Sequence, residues 1–302
     1  MRDRATIALA GAGGDLGGRI SMALVARGAA VRALVRPGLA ADERAKIEAT
    51  GATMVPAEPG DVSAMSNACR GACCVVSALN GLRDVIIDRQ GVLLDAAVRA
   101  GVPRFVPSDY SLDFTNTRPG DNRNLDLRRE FMARVDAASV RATSVLNGAF
   151  LDMLGAEMPL LRRRLRRVLY WGDPDQPLDF TAKDDVAAYT AAAALDDSAP
   201  RVLRIAGNTA SARDIAVAMT AVTGQRHRTL WAGTLGMLGV MIRAARLVAP
   251  QPAAVFPPWQ GMQYLRDMFS GHGKLAPLDT DRYPGINWTS IREFVARSTA
   301  AR

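Results

Sequence analysis

The run I-A-L-A-G-A-G-G-D-L-G-G-R, from Ile7 to Arg19, decides how the rest of this 302-residue sequence is read. An apolar stretch, Thr6 to Ala10, ends in a glycine-dense turn, and Leu16 to Arg27 then carries helical spacing. The order is strand, turn, helix. Gly11, Gly14 and Gly17 stand at three-residue intervals, where a backbone must turn tightly, approach a pyrophosphate closely and let a helix pack on a strand. An anion bound there would meet the free N–H groups and the favourable dipole of the helix start. The alternative is an ordinary strand-to-helix connection. The apolar strand before the turn and the strand–helix alternation after it favour a dinucleotide site.

Working outward, Ala30 to Val35 is a second strand that ends at Arg36. In dinucleotide folds an acidic residue at this place binds the adenosine ribose 2′-hydroxyl, whereas an arginine accommodates a 2′-phosphate. Arg36 therefore points to NADP(H), the alternative being a surface arginine at a turn, and Lys46 on the next helix would add a second positive charge. Asp61 is either a helix N-cap or an adenine contact. Cys73 to Ala78 is a continuous apolar run, as in a strand buried on both faces of a parallel sheet, and its Ala78 end should face the cofactor. Asp84 to Ala100 reads as one amphipathic helix, and Arg104 to Val106 as a strand leading into Pro107-Ser108-Asp109-Tyr110. Ligands in open parallel sheets bind beyond the carboxyl ends of the strands, so Ser108 and Tyr110 should lie where substrate and nicotinamide meet.

Leu125 to Ala138 is helical, and Ala142 to Leu146 is a further strand ending in Asn147-Gly148-Ala149-Phe150. Beyond it the alternation loosens. Val168 to Trp171, Leu178 to Phe180 and Val202 to Ala206 read as strands, Asp184 to Leu195 as a helix, and Ser211 caps a helix that Gly224 ends. Leu230 to Leu247 and Phe256 to Phe269 are expected as helices over the pocket. The expected fold is α/β, a doubly wound parallel sheet of Rossmann type with a smaller C-terminal substrate lobe. Residues 1–150 form the NAD(P)-binding part, and 151–302 mostly the substrate lobe, with some segments returning to the sheet.

Hydrophobic residues make up 49 % of the chain, ample for a buried core. Met1-Arg-Asp-Arg leads straight into the first strand, and the run from Thr229 to Ile242 is interrupted by Arg243 and Arg246 before it could span a bilayer. A cytoplasmic protein without a membrane partner is expected. Cys69, Cys73 and Cys74 read as buried reduced thiols, and no metal site is expected. The net charge of +8 raises the question of nucleic acid, but no aromatic residues interleave the one basic cluster, Arg162, Arg163, Arg164, Arg166 and Arg167. That cluster reads as the solvated face of a connecting helix or as a surface for an acidic protein partner.

Together these residues resemble the NmrA-like group of atypical short-chain dehydrogenases, which includes isoflavone reductase-like enzymes. The resemblance is carried by Gly11-Ala-Gly-Gly-Asp-Leu-Gly17, by V-R-A-L-V-R ending at Arg36, by Gly60-Asp61 and by V-V-S-A at 75–78. Gln90 followed by A-G-V-P-R-F-V-P-S-D-Y, T-S-V-L-N-G-A-F ending at Phe150, and R-Y-P-G-I-N-W-T-S-I-R-E-F are similar to the group's patterns. The resemblance implies NADP(H) held by Gly11, Gly14, Asp15, Leu16 and Arg36, with Ser108, Asn147 and Phe150 near the nicotinamide. It also shows one departure. The group's reductases place a lysine where this sequence has Arg128, and no lysine occurs between Lys46 and Lys183.

Two functions are then open. The first is an NADPH-dependent reductase of a small aromatic or conjugated substrate, with Arg128 orienting substrate or stabilising negative charge and Tyr110 or Ser108 donating a proton. The second is a cofactor-sensing protein that performs no chemistry and binds a protein partner, for which the Arg162 to Arg167 cluster would suit. Arg128 could instead pair with Glu130 or Asp126 on an exposed helix face.

Overall fold

A computed structural model describes residues 4–155 and 160–300; Met1 to Asp3, read above as leading directly into the first strand, lie outside it. The chain alternates from the start: β1 (Thr6–Ala10), α1 (Asp15–Ala26), β2 (Ala30–Val35), α2 (Ala41–Glu48), β3 (Thr53–Pro56), α3 (Val62–Cys69) and β4 (Cys74–Ser77). A π-helical segment, Asp84–Arg89, runs directly into α4 (Gln90–Arg99), so the single helix expected there begins with a widened coil. Then come β5 (Arg104–Val106), α5 (Arg123–Asp136) and β6 (Arg141–Ala142).

These strands form one parallel sheet in the order β3-β2-β1-β4-β5-β6. Successive side chains of β1 go to opposite faces, as strand geometry requires. Ile7 and Leu9 pack with Ile20 and Leu24 of α1, whereas Ala8 and Ala10 join Leu93, Phe105 and Phe131 on the other face. Both faces are covered, which is why β4 is apolar without alternation. The strand order reverses between β1 and β4, and there the backbones nearly touch. A Cβ added at Gly11 would lie 2.7 Å from the Ala78 carbonyl oxygen, and Gly11 has φ +88°. A Cβ at Gly17 would lie 2.0 Å from the Gly11 oxygen, so glycine is required at both positions.

The strand expected over Ala142 to Leu146 is divided. β6 pairs with β5, whereas β7 (Ser144–Leu146) pairs with a later strand, and the change follows Thr143, whose N–H donates to the Phe105 oxygen at 3.0 Å. The chain continues through β8 (Ala149–Phe150), β9 (Leu161–Arg162), β10 (Arg167–Tyr170), β11 (Leu178–Thr181), α6 (Lys183–Leu195) and β12 (Val202–Arg204). It ends with β13 (Asn208–Ala210), α7 (Ala212–Thr223), β14 (Arg228–Trp231), α8 (Leu235–Val248), α9 (Pro258–Phe269) and α10 (Ile291–Ala300). Ser211 forms a capping box with Asp214, and Gly224 ends α7 in the left-handed region.

Two of these later elements meet the first half of the chain. β12 pairs parallel with β7, and α6 lays Val186, Tyr189 and Ala193 against the face that α1 covers. Arg104, buried in β5, donates to the carbonyls of Ala193 and Ala194 at 2.9 and 3.0 Å, fixing a cation to the C-terminal end of α6. The remaining segments surround a further core, with Phe180, Leu265 and the tilted Trp171–Phe269 pair, that Leu112, Phe114 and Leu125 also join.

The basic cluster is not a helix. Arg162 closes β9, a 3-10 turn covers Arg163–Leu165, Arg166 takes φ 51°, and β10 pairs back on β9. Leu161 and Val168 are the apolar residues buried on either side of the turn, and they face each other across the pair. Likewise Leu230 and Trp231 belong to β14, paired with Leu169 and Tyr170 of β10, and Gly233 at φ +131° separates them from α8.

Candidate active site

A cavity of about 360 Å³ opens from the turn after β1 across the carboxyl ends of β4 and β5 to α5 and α9. Gly14 is the N-cap of α1 and offers no side-chain cap, which leaves first-turn N–H groups to an outside acceptor. Gly14, Asp15 and Leu16 line the cavity at this end, as does Ala78. These donors, and a glycine cradle in which the backbones of Gly11 and Ala78 are in contact, fit a pyrophosphate.

Asp15 brings a carboxylate to the same place, and it is neutralised. Its two oxygens accept from Lys183 Nζ and Arg19 Nε, each at 2.7 Å, and the Lys183 bond above all holds the carboxyl below its ordinary pKa, against a smaller opposing effect of burial. Lys183 is the first residue of α6, and its Nζ stands 5.8 Å from the centre of the Phe150 ring. Both Lys183 and Phe150 line the cavity.

The loop after β5 forms the floor. Gln90, fully buried on α4, accepts from the Ser108 N–H at 2.8 Å and donates to the Ile86 carbonyl at 3.1 Å, so it holds the Pro-Ser-Asp-Tyr turn against the helix. Ser108 lines the cavity and donates its hydroxyl to the Leu79 carbonyl at 2.6 Å. Tyr110 also borders the cavity, but its hydroxyl is enclosed, opposite Thr190 of α6, and burial pushes the phenol far above its usual range. That orientation weighs against Tyr110; Ser108 shares the cavity wall with the hydroxyl residues Ser111 and Tyr264.

Between them Asp109 points away into the protein. Ser144 Oγ donates to its Oδ2 at 2.5 Å, while Oδ1 is buried without a partner. Burial raises its pKa to about 6, against the lowering effects of the Ser144 bond and the charge of Arg128. Arg128 projects from α5 into the cavity, 6 % exposed. Its Nη1 donates to the Asn124 carbonyl of its own helix at 3.0 Å, and its Nε is buried with no partner. Pairing on an exposed face is excluded, because Asp126 binds Arg129 at 2.7 Å and Glu130 binds Arg83. Leu16, Leu79, Phe150, Met153, Phe256 and Met268 make most of the remaining wall apolar, and Asn80, Ser111 and Tyr264 complete it.

Other residues named from the sequence lie elsewhere. Asn147 is buried beside the cavity rather than on its wall, its amide donating to the Gly148 carbonyl at 3.2 Å and its Oδ1 without a partner. Arg36 follows β2, 63 % of its side chain exposed, and pairs with Glu43 at 3.0 Å. Lys46 is on the surface near Asp42. Asp61 caps α3, accepting from the N–H groups of Ser63 and Ala64. Cys69 and Cys74 are buried free thiols and Cys73 is half-buried. Sequence reasoning missed Lys183 as a cavity residue, and it placed α9 over the pocket without singling out Tyr264 or Phe256.

Residues 3–231 match the NmrA-like family. Pinoresinol reductase 2 of Arabidopsis thaliana is 28 % identical over 203 residues, which cover 63 % of this chain and 64 % of the plant protein, less than two thirds of its length. The solved structure of AtPrR2 with NADP+ and (+)pinoresinol superposes with a TM-score of 0.80 at 20 % identity, covering 98 % of this chain and 99 % of that one. Leucoanthocyanidin reductase of Vitis vinifera, in its binary complex with NADPH, gives a TM-score of 0.82 at 17 % identity over 98 % of this chain and all of the other. At these identities the superpositions speak for a shared fold.

Proposed function

This chain belongs to the NmrA-like family, and we propose that it is an NADP(H)-dependent reductase, of the atypical short-chain type, acting on a small aromatic or conjugated substrate. The observation that carries the proposal is the formed cavity, which joins the uncapped start of α1 to a buried guanidinium through mostly apolar walls. The names of the plant relatives, reductases of aromatic compounds, support the same reading. A cofactor sensor without chemistry needs no such space beside the dinucleotide turn.

NADPH, when bound, supplies hydride. Gly11, Gly14, Asp15, Leu16 and Gly17 would hold its pyrophosphate, and Arg36 with Lys46 would meet the 2′-phosphate. Lys183 keeps the Asp15 carboxylate neutralised, and Phe150 provides an apolar wall. Arg128, a guanidinium on the cavity wall, orients the substrate and stabilises an oxygen that gains negative charge. Ser108 is the candidate proton donor at the cavity wall. Apolar side chains of α9 and the preceding loop exclude water and strengthen these contacts.

The test is a calorimetric titration with NADPH and NADH, followed by NADPH oxidation with a panel of aldehydes, quinones and enones. Tight NADPH binding without oxidation by any of them would transfer support to the sensor.

A further inference from the structure

Helix α8 carries two apolar stripes, and only one is used. Leu238 and Ile242 are buried in the core, whereas Met237, Val240, Met241, Ala244, Leu247 and Val248 are exposed. Steps of three and four residues align the second set along one side of the helix. Leu247 and Val248 have 85 and 86 % of their surface exposed. Scattered exposed apolar residues need no explanation, but a continuous stripe of this length does.

Charge indicates what covers it. Arg243 borders the stripe, Arg246 lies on the opposite side of the helix over the Trp259 ring at 5.2 Å, and the sequence holds neither Asp nor Glu between Asp214 and Asp267. Strand β14, α8 and the loop to α9 therefore carry basic charge alone. Asp126 and Glu130, which border a shallow groove with Arg246, are engaged by Arg129 and Arg83. β14 adds Arg228 and the exposed Leu230 and Trp231, and its neighbour β10 leads back to the arginine-rich turn with the exposed Leu165 at its tip.

We propose that this face docks on an anionic lipid bilayer, with α8 lying in the headgroup region and its apolar stripe turned to the acyl chains. An apolar stripe bordered by an arginine and accompanied by a tryptophan is the pattern of a helix that lies in a membrane interface. A second copy of the chain is disfavoured as the occupant, because a twofold contact would set two basic, acid-free faces against each other. Among the described residues no helix is long and apolar enough to cross a membrane, so the contact is with the surface. Arg243, exposed at the edge of the stripe, is the residue of α8 suited to lipid phosphates. Phe256, half exposed in the loop after α8, also lines the cavity, so the docked face stands beside the cavity mouth. The docking itself does not depend on the reductase reading.

The test is co-sedimentation of the full chain with vesicles of phosphatidylcholine, with and without phosphatidylserine. The protein should sediment with the phosphatidylserine vesicles alone, and salt should weaken the association. The double substitution Met241→Glu, Leu247→Glu should weaken it about tenfold or more while circular dichroism stays native; Val248→Gln serves as the second variant should the first fail to fold. Absence of sedimentation with either vesicle would overturn the proposal, as would binding that both natively folded variants retain in full. A dimer in analytical ultracentrifugation that the same substitutions dissociate would assign the stripe to a second copy and also overturn it.

Discussion

Replacing Arg128 by alanine should separate turnover from binding. The side chain is buried on the cavity wall with one bond to its own helix and an Nε that has no partner in the protein. The Asn124 carbonyl lies in the same helix, so losing that bond costs about 1 kcal/mol and the fold should survive. Loss of one preorganised donor to an oxygen gaining charge typically lowers kcat by about a hundredfold to a thousandfold, or about 3–4 kcal/mol. NADPH affinity should change little, since the glycine turn is at the other end of the cavity. Stopped-flow NADPH oxidation with any substrate found in the panel measures the first, and calorimetry the second. A guanidinium stays protonated through the working range, so the wild-type profile should lack a basic limb from this residue, whereas Arg128→Lys should introduce one. The substitution should also reach Asp109, whose pKa the Arg128 charge holds down. In Arg128→Ala a carbon-13 NMR titration should place the Asp109 midpoint above the wild-type value near 6. Undiminished turnover in a folded Arg128→Ala protein would remove Arg128 from the chemistry.

Arg36→Asp should reverse a wild-type preference for NADPH over NADH; the charge-assisted contact is worth about 1.5–3 kcal/mol, or about one to two decades in affinity, and equal wild-type affinities would exclude the assignment. Gly14→Val should abolish cofactor binding with the fold retained, since a Cβ there meets only the Gly11 oxygen, at 3.3 Å; unchanged binding in a protein with native circular dichroism would make the turn purely structural. The folded-state pKa of Asp109, about 6, lies above the ordinary 3.8, so its ionisation is disfavoured in the fold. Stability should therefore be highest, for this group, below about pH 4, fall as pH rises to about 6 and then level off, by about 3 kcal/mol in all. Asp109→Asn should remove that fall, and thermal unfolding curves that stay parallel for the two proteins between pH 4 and 7 would refute this.

The dinucleotide half was legible because its signals are local. The turn at Gly11 to Gly17 requires glycine on steric grounds, and an apolar run such as Val75–Val76 reports burial on both faces wherever it occurs. The Ser211 box and the Gly224 stop are likewise written within a few residues. What could not be read depends on distant partners. Lys183 meets Asp15 across 168 residues, and nothing near either residue announces the other. The division at Thr143 follows from β12, which arrives only at Val202. Around Arg162 to Arg167 the dense arginines hide the two buried positions, Leu161 and Val168, that make it a strand pair. The hydroxyl of Tyr110 faces α6 rather than the cavity because α6 packs across the sheet, a relation that no motif encodes.

The position of α6 limits how such a chain can be recombined. Its first residue neutralises a carboxylate at the dinucleotide turn, its last carbonyls receive the buried Arg104, and its middle fills the same face as α1. Although the sequence suggests a break near Phe150, exchanging the C-terminal half for that of a relative would remove one cover of the sheet together with β12, the partner of β7. Diversity is more freely gained in the loop and helix from Val255 to Phe269, which contribute Phe256, Tyr264 and Met268 to the cavity and no strand to the sheet.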